Sequence, residues 1–346
     1  MQETSVAVKR KISNASIIAV MMVVGIHTAG TTYQLGSAMW WFEQFCHYGL
    51  FKIAVPFFFF CSGYFLARHV DEPFWWIIEC RKRFWSLVIP YLVWCFLCAA
   101  LPALCWKIYD YIRGCSVHSL IYNISLSDIF GLSICGTPIA VPLWYIRCLI
   151  VLVVISPICV FAIRRIQWRF LLILYLMSLI VEGLGLRQEI NITMFRFFFS
   201  INGLFWFSVG IYSRLKYPEL RGVGFAKSMS YSALGCLIVL ASSLVCYITK
   251  VDVHGLASVI YTPLLLVGLW PLVPSIPQRG VVQSSTFPIY CMHGLVIYSV
   301  SWANSNEYLF ASWMFRWIAG MLGAFSVSLI LKHVCSPLAR FLFGGR

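Results

Sequence analysis

The chain has 346 residues, of which 61% are hydrophobic and only 11% charged, against about a quarter charged in a typical soluble domain. That leaves too little polar surface to cover a globule in water, so an ordinary soluble fold is excluded and lipid is the expected solvent. The formal charge of +14 does not mark a nucleic-acid binder: Lys and Arg fall in short clusters between apolar spans, and no nucleic-acid motif accompanies them.

In chain order the apolar spans are Ile12–Thr32, Cys46–Ala67, Trp85–Cys105, Leu143–Ala162, Trp168–Leu186, Phe195–Tyr212, Met229–Thr249, Leu256–Pro274, Ser284–Asn304 and Trp313–Val334. Each is about 18–22 residues, which at about 1.5 Å per residue matches a hydrocarbon core of about 30 Å. Helix is expected, because an isolated strand cannot satisfy its backbone in lipid and the alternation of a membrane barrel is missing. The expected fold is an all-α integral membrane protein: one polytopic domain over residues 1–346, with about ten transmembrane helices. The basic start followed by an apolar run imitates a signal peptide. Without a small-residue cleavage site, it reads as a retained first span. No internal repeat supports an inverted-repeat transporter.

Orientation follows from the basic residues. With the N-terminus inside, eighteen of the 26 Lys and Arg lie in cytoplasmic segments, six lie outside, and Lys52 and Arg147 lie within spans. That bias sets both termini in the cytoplasm. The longest loop, Trp106 to Pro142, then faces outside and carries Asp110, His118 and Asp128. Long loops often hold function, a solvated cap being the plainer alternative. Asn123 and Asn191 open glycosylation sequons on the same side. Of fourteen cysteines most fall inside spans, where they act as small hydrophobes, while Cys115 and Cys135 share the outside loop and can pair. No CxxC or Cys/His spacing suggests a metal.

Ionisable groups inside spans are costly and therefore functional candidates. Those singled out are His27, Lys52, Arg147, Glu182 and His293. His27 lies about fifteen residues, or roughly 22 Å, up the first span, and Lys52 about six residues below the outer end of the second. Arg147 and Glu182 also fall toward the outside, so four of the five cluster in the outer third of the bilayer. A neutral imidazole can take a proton from a hydroxyl, which makes His27 the best base; the structural alternative is a core histidine bonded to a neighbouring helix. Lys52 can instead snorkel to the interface. Arg147 can bind an anion or a developing oxyanion, or pair with Glu182. His293, beside Tyr290 near mid-membrane, can serve chemistry or helix packing. At the inner mouth of the third span, Arg81, Lys82 and Arg83 can meet a phosphate-rich ligand, or merely fix topology.

Several segments together resemble the membrane acyltransferase-3 family, over nearly the whole chain. They are Val23-Val24-Gly25-Ile26-His27, Ala54-Val55-Pro56-Phe57-Phe58-Phe59-Phe60-Cys61-Ser62-Gly63-Tyr64-Phe65-Leu66, Arg81-Lys82-Arg83 with Pro90-Tyr91, Pro142-Leu143-Trp144-Tyr145-Ile146-Arg147, and Phe287-Pro288-Ile289-Tyr290-Cys291-Met292-His293-Gly294. The resemblance implies a multi-pass enzyme of a bacterial cytoplasmic membrane that moves an acyl group, often acetyl, from cytoplasmic acyl-CoA to a hydroxyl outside. The acceptor would be an envelope glycan or a lipid-linked sugar. By the same resemblance His27 matches the family's first-span histidine, Lys52 stands where many members carry Arg, and Arg147 matches the basic residue after Trp144-Tyr145. Arg81 and Arg83 would then hold the CoA phosphates, with Trp144, Glu182, Tyr290 and His293 as substrate-facing or supporting groups. No permanently bound cofactor and no metal is expected, acyl-CoA being a co-substrate. One departure stands out: many members place an Arg eleven residues before the histidine, where this chain has Ser16. The rival reading is a transporter or flippase for a lipid-linked envelope sugar, which also needs cations in a membrane cavity. A silent sensor or scaffold is a third.

Overall fold

A computed structural model describes residues 5–28, 33–34, 36–113, 141–184, 200–277, 280–303 and 313–345. Cys115 and Cys135, the sequons at Asn123 and Asn191, and His118 and Asp128 lie outside those residues. Among the described residues there are helices and no strand. Every span expected from the sequence overlaps a helix.

Helix α1 covers Val6–Ile26, starting where the Ser5 side chain accepts the Val8 N–H. The second stretch is continuous but irregular: α2 (Ala38–Glu43), a π turn at Gln44–Gly49, a 3-10 turn at Leu50–Ile53 and α3 (Ala54–Leu66). The third repeats the device, with α4 (Trp75–Arg83), a π turn at Phe84–Val88 and α5 (Ile89–Arg113). There follow α6 (Trp144–Ile166), α7 (Trp168–Gly183), α8 (Ile201–Lys216), α9 (Phe225–Thr249), α10 (His254–Leu269), α11 (Gly280–Ala303), α12 (Trp313–Val334) and a short α13 (Ser336–Leu342).

Among the described residues six stretches are long and apolar enough to cross a bilayer: Ala38–His69, Trp75–Ile112, Trp144–Ile166, Phe225–Thr249, His254–Leu272 and Trp313–Val334. The other four helices fall short of that measure for visible reasons. Helix α1 opens on Lys9, Arg10 and Lys11, α11 opens on a polar run from Gln283 to Thr286, and α7 and α8 have 16 described residues each. Several boundaries differ from the expected ones, the third stretch for example running from Trp75 to Arg113 rather than from Trp85 to Cys105. The second stretch begins at Ala38 rather than Cys46, and α1 stops at Ile26 rather than running to Thr32. The early stop has a local cause: the Thr28 hydroxyl donates back to the Gly25 carbonyl (2.9 Å), a side-chain bond that competes with the helix ladder.

Helix α1 packs on α3 and α11, while α9 pairs with α10 and α11 with α12. The closest approach is between α3 and α8. A Cβ on Gly63 would overlap the Phe207 carbonyl, and one on Gly210 would overlap the Phe60 carbonyl, so two backbones meet through reciprocal glycines, as membrane helices do where lipid offers no hydrophobic drive. Large apolar side chains such as Ile158 and Phe161 on α6 and Leu322 and Ile330 on α12 are exposed, the surface expected of a protein dissolved in lipid. Gly63→Val is therefore expected to cost about 3 kcal/mol or more by overpacking, read as a lower melting temperature and yield in detergent. Ser62→Ala next door, whose hydroxyl bonds back to Phe58 O (2.8 Å), is the control that should change the melting temperature little.

Candidate active site

The site grows from the end of α1. The Gly25 carbonyl, in the last turn of α1, accepts from Thr28 Oγ1, from Trp313 Nε1 on α12 (3.1 Å) and from His47 Nδ1 on the π turn (3.2 Å), besides the Thr28 backbone N–H (3.4 Å). Trp317 Nε1 donates to Met21 O one turn earlier (2.8 Å). Two tryptophans and a histidine thus clamp the last turn, and His27 is its C-cap, with φ −93° and ψ 3°. His27 was expected within a helix; it sits at a break, where its backbone no longer follows the helix.

His293 lies beside it, the ring centroids 5.2 Å apart and tilted at 43°. His293 is fully buried. Its Nδ1 is 2.7 Å from the Tyr290 carbonyl, and a carbonyl only accepts, so Nδ1 carries the proton and Nε2 keeps its lone pair in the neutral ring. That Nε2 is buried and has no hydrogen-bond partner among the described residues. Buried polar atoms are normally satisfied, so this lone pair, beside His27, is open to a partner that the described residues do not supply.

Lys52, His47 and His293 all act electrostatically on His27. Lys52 is half-buried and sits on the 3-10 turn immediately after the π turn. The break in the second helix therefore offers both His47 and Lys52 to the end of α1, which an unbroken helix presents differently: residues five apart lie about 140° apart around a regular α-helix.

A chain of polar rings leads away from His293. Its ring is 5.9 Å from Tyr290, and Tyr290 is 5.9 Å from Tyr145. The Tyr290 hydroxyl donates to the Pro142 carbonyl, tying α11 to the segment that opens α6. Tyr145 in turn shares a hydrogen bond with Ser62 on α3 (3.2 Å). Arg147 is buried on α6 and hydrogen-bonds the Tyr91 side chain on α5, with Cys95 and Cys148 beside it. Tyr91 and Cys95 also act on Tyr290. Arg147 thus reaches His27 through tyrosines, not directly. Trp144, 6.3 Å from the Phe59 ring, belongs to the aromatic wall of this region.

Glu182 takes another place. Its carboxylate lies against Gly255 in the first turn of α10, where the positive end of a helix dipole favours an anion. Among the described residues, Tyr91, Cys95 and Cys148 act on Arg147, and the Arg147–Glu182 ion pair that sequence permits is not formed between these two residues. In the basic cluster, buried Glu79 holds Lys82 (3.3 Å) and Arg83 (3.5 Å). Arg81 is exposed and outside those pairs.

His47, Tyr91 and Tyr145 are the residues that sequence inspection misses. His47 is one residue inside the second expected span, and its ionisable ring in an apolar context was signal enough. Tyr91 and Tyr145 carry no such charge signal; they stand in the segments Pro90-Tyr91 and Trp144-Tyr145 that resemble the family, but only packing brings them to Arg147 and Tyr290.

A bundle of apolar helices that brings two histidines and a lysine together at one helix end, with a buried arginine further off, has the character of a multi-pass membrane protein. A family model described as an acyltransferase domain, Acyl_transf_3, matches residues 14–333. The chain belongs to the acyltransferase-3 family and is a membrane acyltransferase acting on groups other than aminoacyl groups. No curated protein and no solved structure matches it. The family assignment decides against the flippase and scaffold readings.

Proposed function

We propose that this enzyme transfers an acyl group, acetyl in the first instance, from cytoplasmic acyl-CoA to a hydroxyl of an extracytoplasmic glycan or lipid-linked sugar, in the cytoplasmic membrane of a bacterium. The observation that carries the reading is the His27–His293 ring pair at the broken end of α1, with Lys52 within electrostatic reach.

In the proposed reaction His27 takes the proton of the acceptor hydroxyl as its oxygen attacks the thioester carbonyl. Lys52 stabilises the oxyanion of the tetrahedral intermediate, a contribution that is often the largest in acyl transfer. The intermediate then expels the CoA thiolate, which recovers the proton from His27. His293, its proton fixed on Nδ1, keeps an Nε2 lone pair beside the His27 ring, available to accept a polar hydrogen from His27 as that ring takes up the proton. Arg147, through Tyr91 and Tyr290, keeps the polar chain in register and is a positioning residue in this scheme.

On the donor side the CoA phosphates meet the basic cluster on α4. From Arg81 to Tyr91 the rod advances about 15 Å, and a pantetheine arm is long enough to carry the thioester inward from there. The Glu79 pairs divide the labour within the cluster: Arg83 and Lys82 are partly neutralised, and exposed Arg81 is the stronger phosphate ligand. Arg81→Ala is expected to raise the KM for acyl-CoA several-fold with kcat nearly kept, and Arg83→Ala to do less. Equal, unchanged KM values in purified protein assign the cluster to topology alone.

The chemistry is tested with protein purified in detergent, [acetyl-¹⁴C]acetyl-CoA and an envelope glycan extract, following free thiol and label together. CoA release coupled to acceptor labelling supports the reading. Binding or movement of lipid-linked sugar without CoA consumption overturns it.

The proposed topology has about ten crossings with both termini in the cytoplasm, supported by the Lys and Arg bias. Reporter fusions after Arg83 and Arg221 are expected to report cytoplasm, and fusions within Tyr109–Ser133 the outside. The inverse pattern removes the transmembrane direction of transfer.

A further inference from the structure

The turn joining α9 to α10 carries three side chains that the acyl-transfer scheme does not use. The Cys246 sulfur, an Asp252 carboxylate oxygen and a His254 ring nitrogen lie within 4.8 Å of one another. Cys246 is in the last turn of α9, Asp252 is exposed in the connection, and His254 is the first residue of α10. We propose that Cys246, Asp252 and His254 form a three-ligand site for a transition-metal ion of the zinc class.

Four observations support a built site rather than a chance turn. The Val253 N–H donates to the Cys246 sulfur (3.3 Å) and the His254 N–H to Asp252 Oδ1 (3.0 Å). Each bond brings a positive dipole to a group that binds a metal as an anion, and leaves the second carboxylate oxygen available. Nδ1 of His254 is buried and has no hydrogen-bond partner among the described residues, an arrangement that costs free energy unless something fills it. The His254 ring is held in place by stacking on Tyr48, with centroids 5.3 Å apart and planes at 20°, the kind of outer support that orients metal-binding histidines. Lys250, the cation in the same turn, is drawn over the Tyr247 ring at 4.8 Å.

The donors choose the ion. Sulfur with imidazole and carboxylate suits zinc, cobalt or nickel, whereas magnesium and calcium need oxygen donors. Tetrahedral bonds of about 2.0–2.3 Å set ligand atoms roughly 3.3–3.8 Å apart, so the three groups need close by only about 1 Å. Three protein ligands leave a fourth position for water or for an oxygen donor such as a sugar hydroxyl or carboxylate. The position is suggestive: His254 stacks on Tyr48, and the His47 ring is 4.4 Å from that of Tyr48. The turn is thereby two rings from the Gly25 carbonyl that fixes His27. The site does not depend on the donor or acceptor proposed above, and its test does not use activity.

The full-length protein is stripped with EDTA in detergent and titrated with Co²⁺. The expected result is one equivalent bound, with the intense near-ultraviolet absorption of a thiolate–cobalt bond. Cys246→Ser, nearly isosteric, should abolish that absorption at an unchanged melting temperature, and Asp252→Asn and His254→Ala should each weaken Co²⁺ by at least about tenfold. No thiolate absorption in the parent protein, or absorption that survives Cys246→Ser, overturns the site. If His254→Ala fails to fold, the serine variant decides alone.

Discussion

His27→Gln is expected to lower acyl transfer per mole of folded protein by about 10²–10⁴-fold, the usual cost of losing a general base. Glutamine keeps much of the volume and can make hydrogen bonds but takes no proton near neutral pH. The backbone of residue 27 is already outside the helix, and the bonds that clamp the last turn of α1 converge on the Gly25 carbonyl rather than on the His27 side chain. The melting temperature should therefore stay within a few degrees of the parent, and the loss should fall on kcat. A stable glutamine variant with near-normal turnover returns His27 to structure and passes the role of base to His293. The paired variant His293→Gln separates the two: as an orienting partner it should cost less than His27→Gln and shift the pH–rate profile rather than abolish turnover.

Lys52→Met should remove about 10²–10³-fold from kcat, the scale on which a single oxyanion donor acts, with KM for either substrate changed little. Methionine keeps an unbranched apolar stem of similar length while deleting the charge, so a loss through packing is minimised. Lys52→Arg should restore a good part of the rate, since a guanidinium supplies the same charge at similar reach. If Lys52→Met instead lowers the melting temperature with kcat intact, the ammonium serves only to reach the interface, and the oxyanion role passes to another donor.

Much of this site was open to inspection because burying charge is expensive. His27, Lys52, Arg147 and His293 stand out in an apolar sequence, and the structure gathers His27, Lys52 and His293 at one helix end. The helices were legible for the same reason, through the length of their apolar runs. What could not be read was lateral. Arg147 offers no hint that its partner is Tyr91, because that contact depends on how α5 and α6 turn against each other. Glu182 looked like a counter-ion for Arg147, yet it lies against α10. The end of α1 at Ile26 depends on a threonine hydroxyl and two indoles arriving from elsewhere. The π and 3-10 turns before α3 had no sequence signature stronger than Gly49, since their cause is the fit of neighbouring helices.

That irregular stretch fixes an angular phase. A helix is a screw, and each residue added or removed turns everything beyond it by about 100° and shifts it by about 1.5 Å. The π turn at Gln44–Gly49 holds one residue more per turn than a regular helix accommodates, so it works as a spacer setting the azimuth of His47 relative to Lys52. Deleting a single residue there would let the stretch relax into an ordinary helix while keeping its apolar character and its ability to insert. The rod would survive, but the face carrying His47 would rotate away from Gly25. Under the proposed mechanism, a one-residue deletion that hydropathy alone would score as silent is therefore expected to lower the rate of acyl transfer.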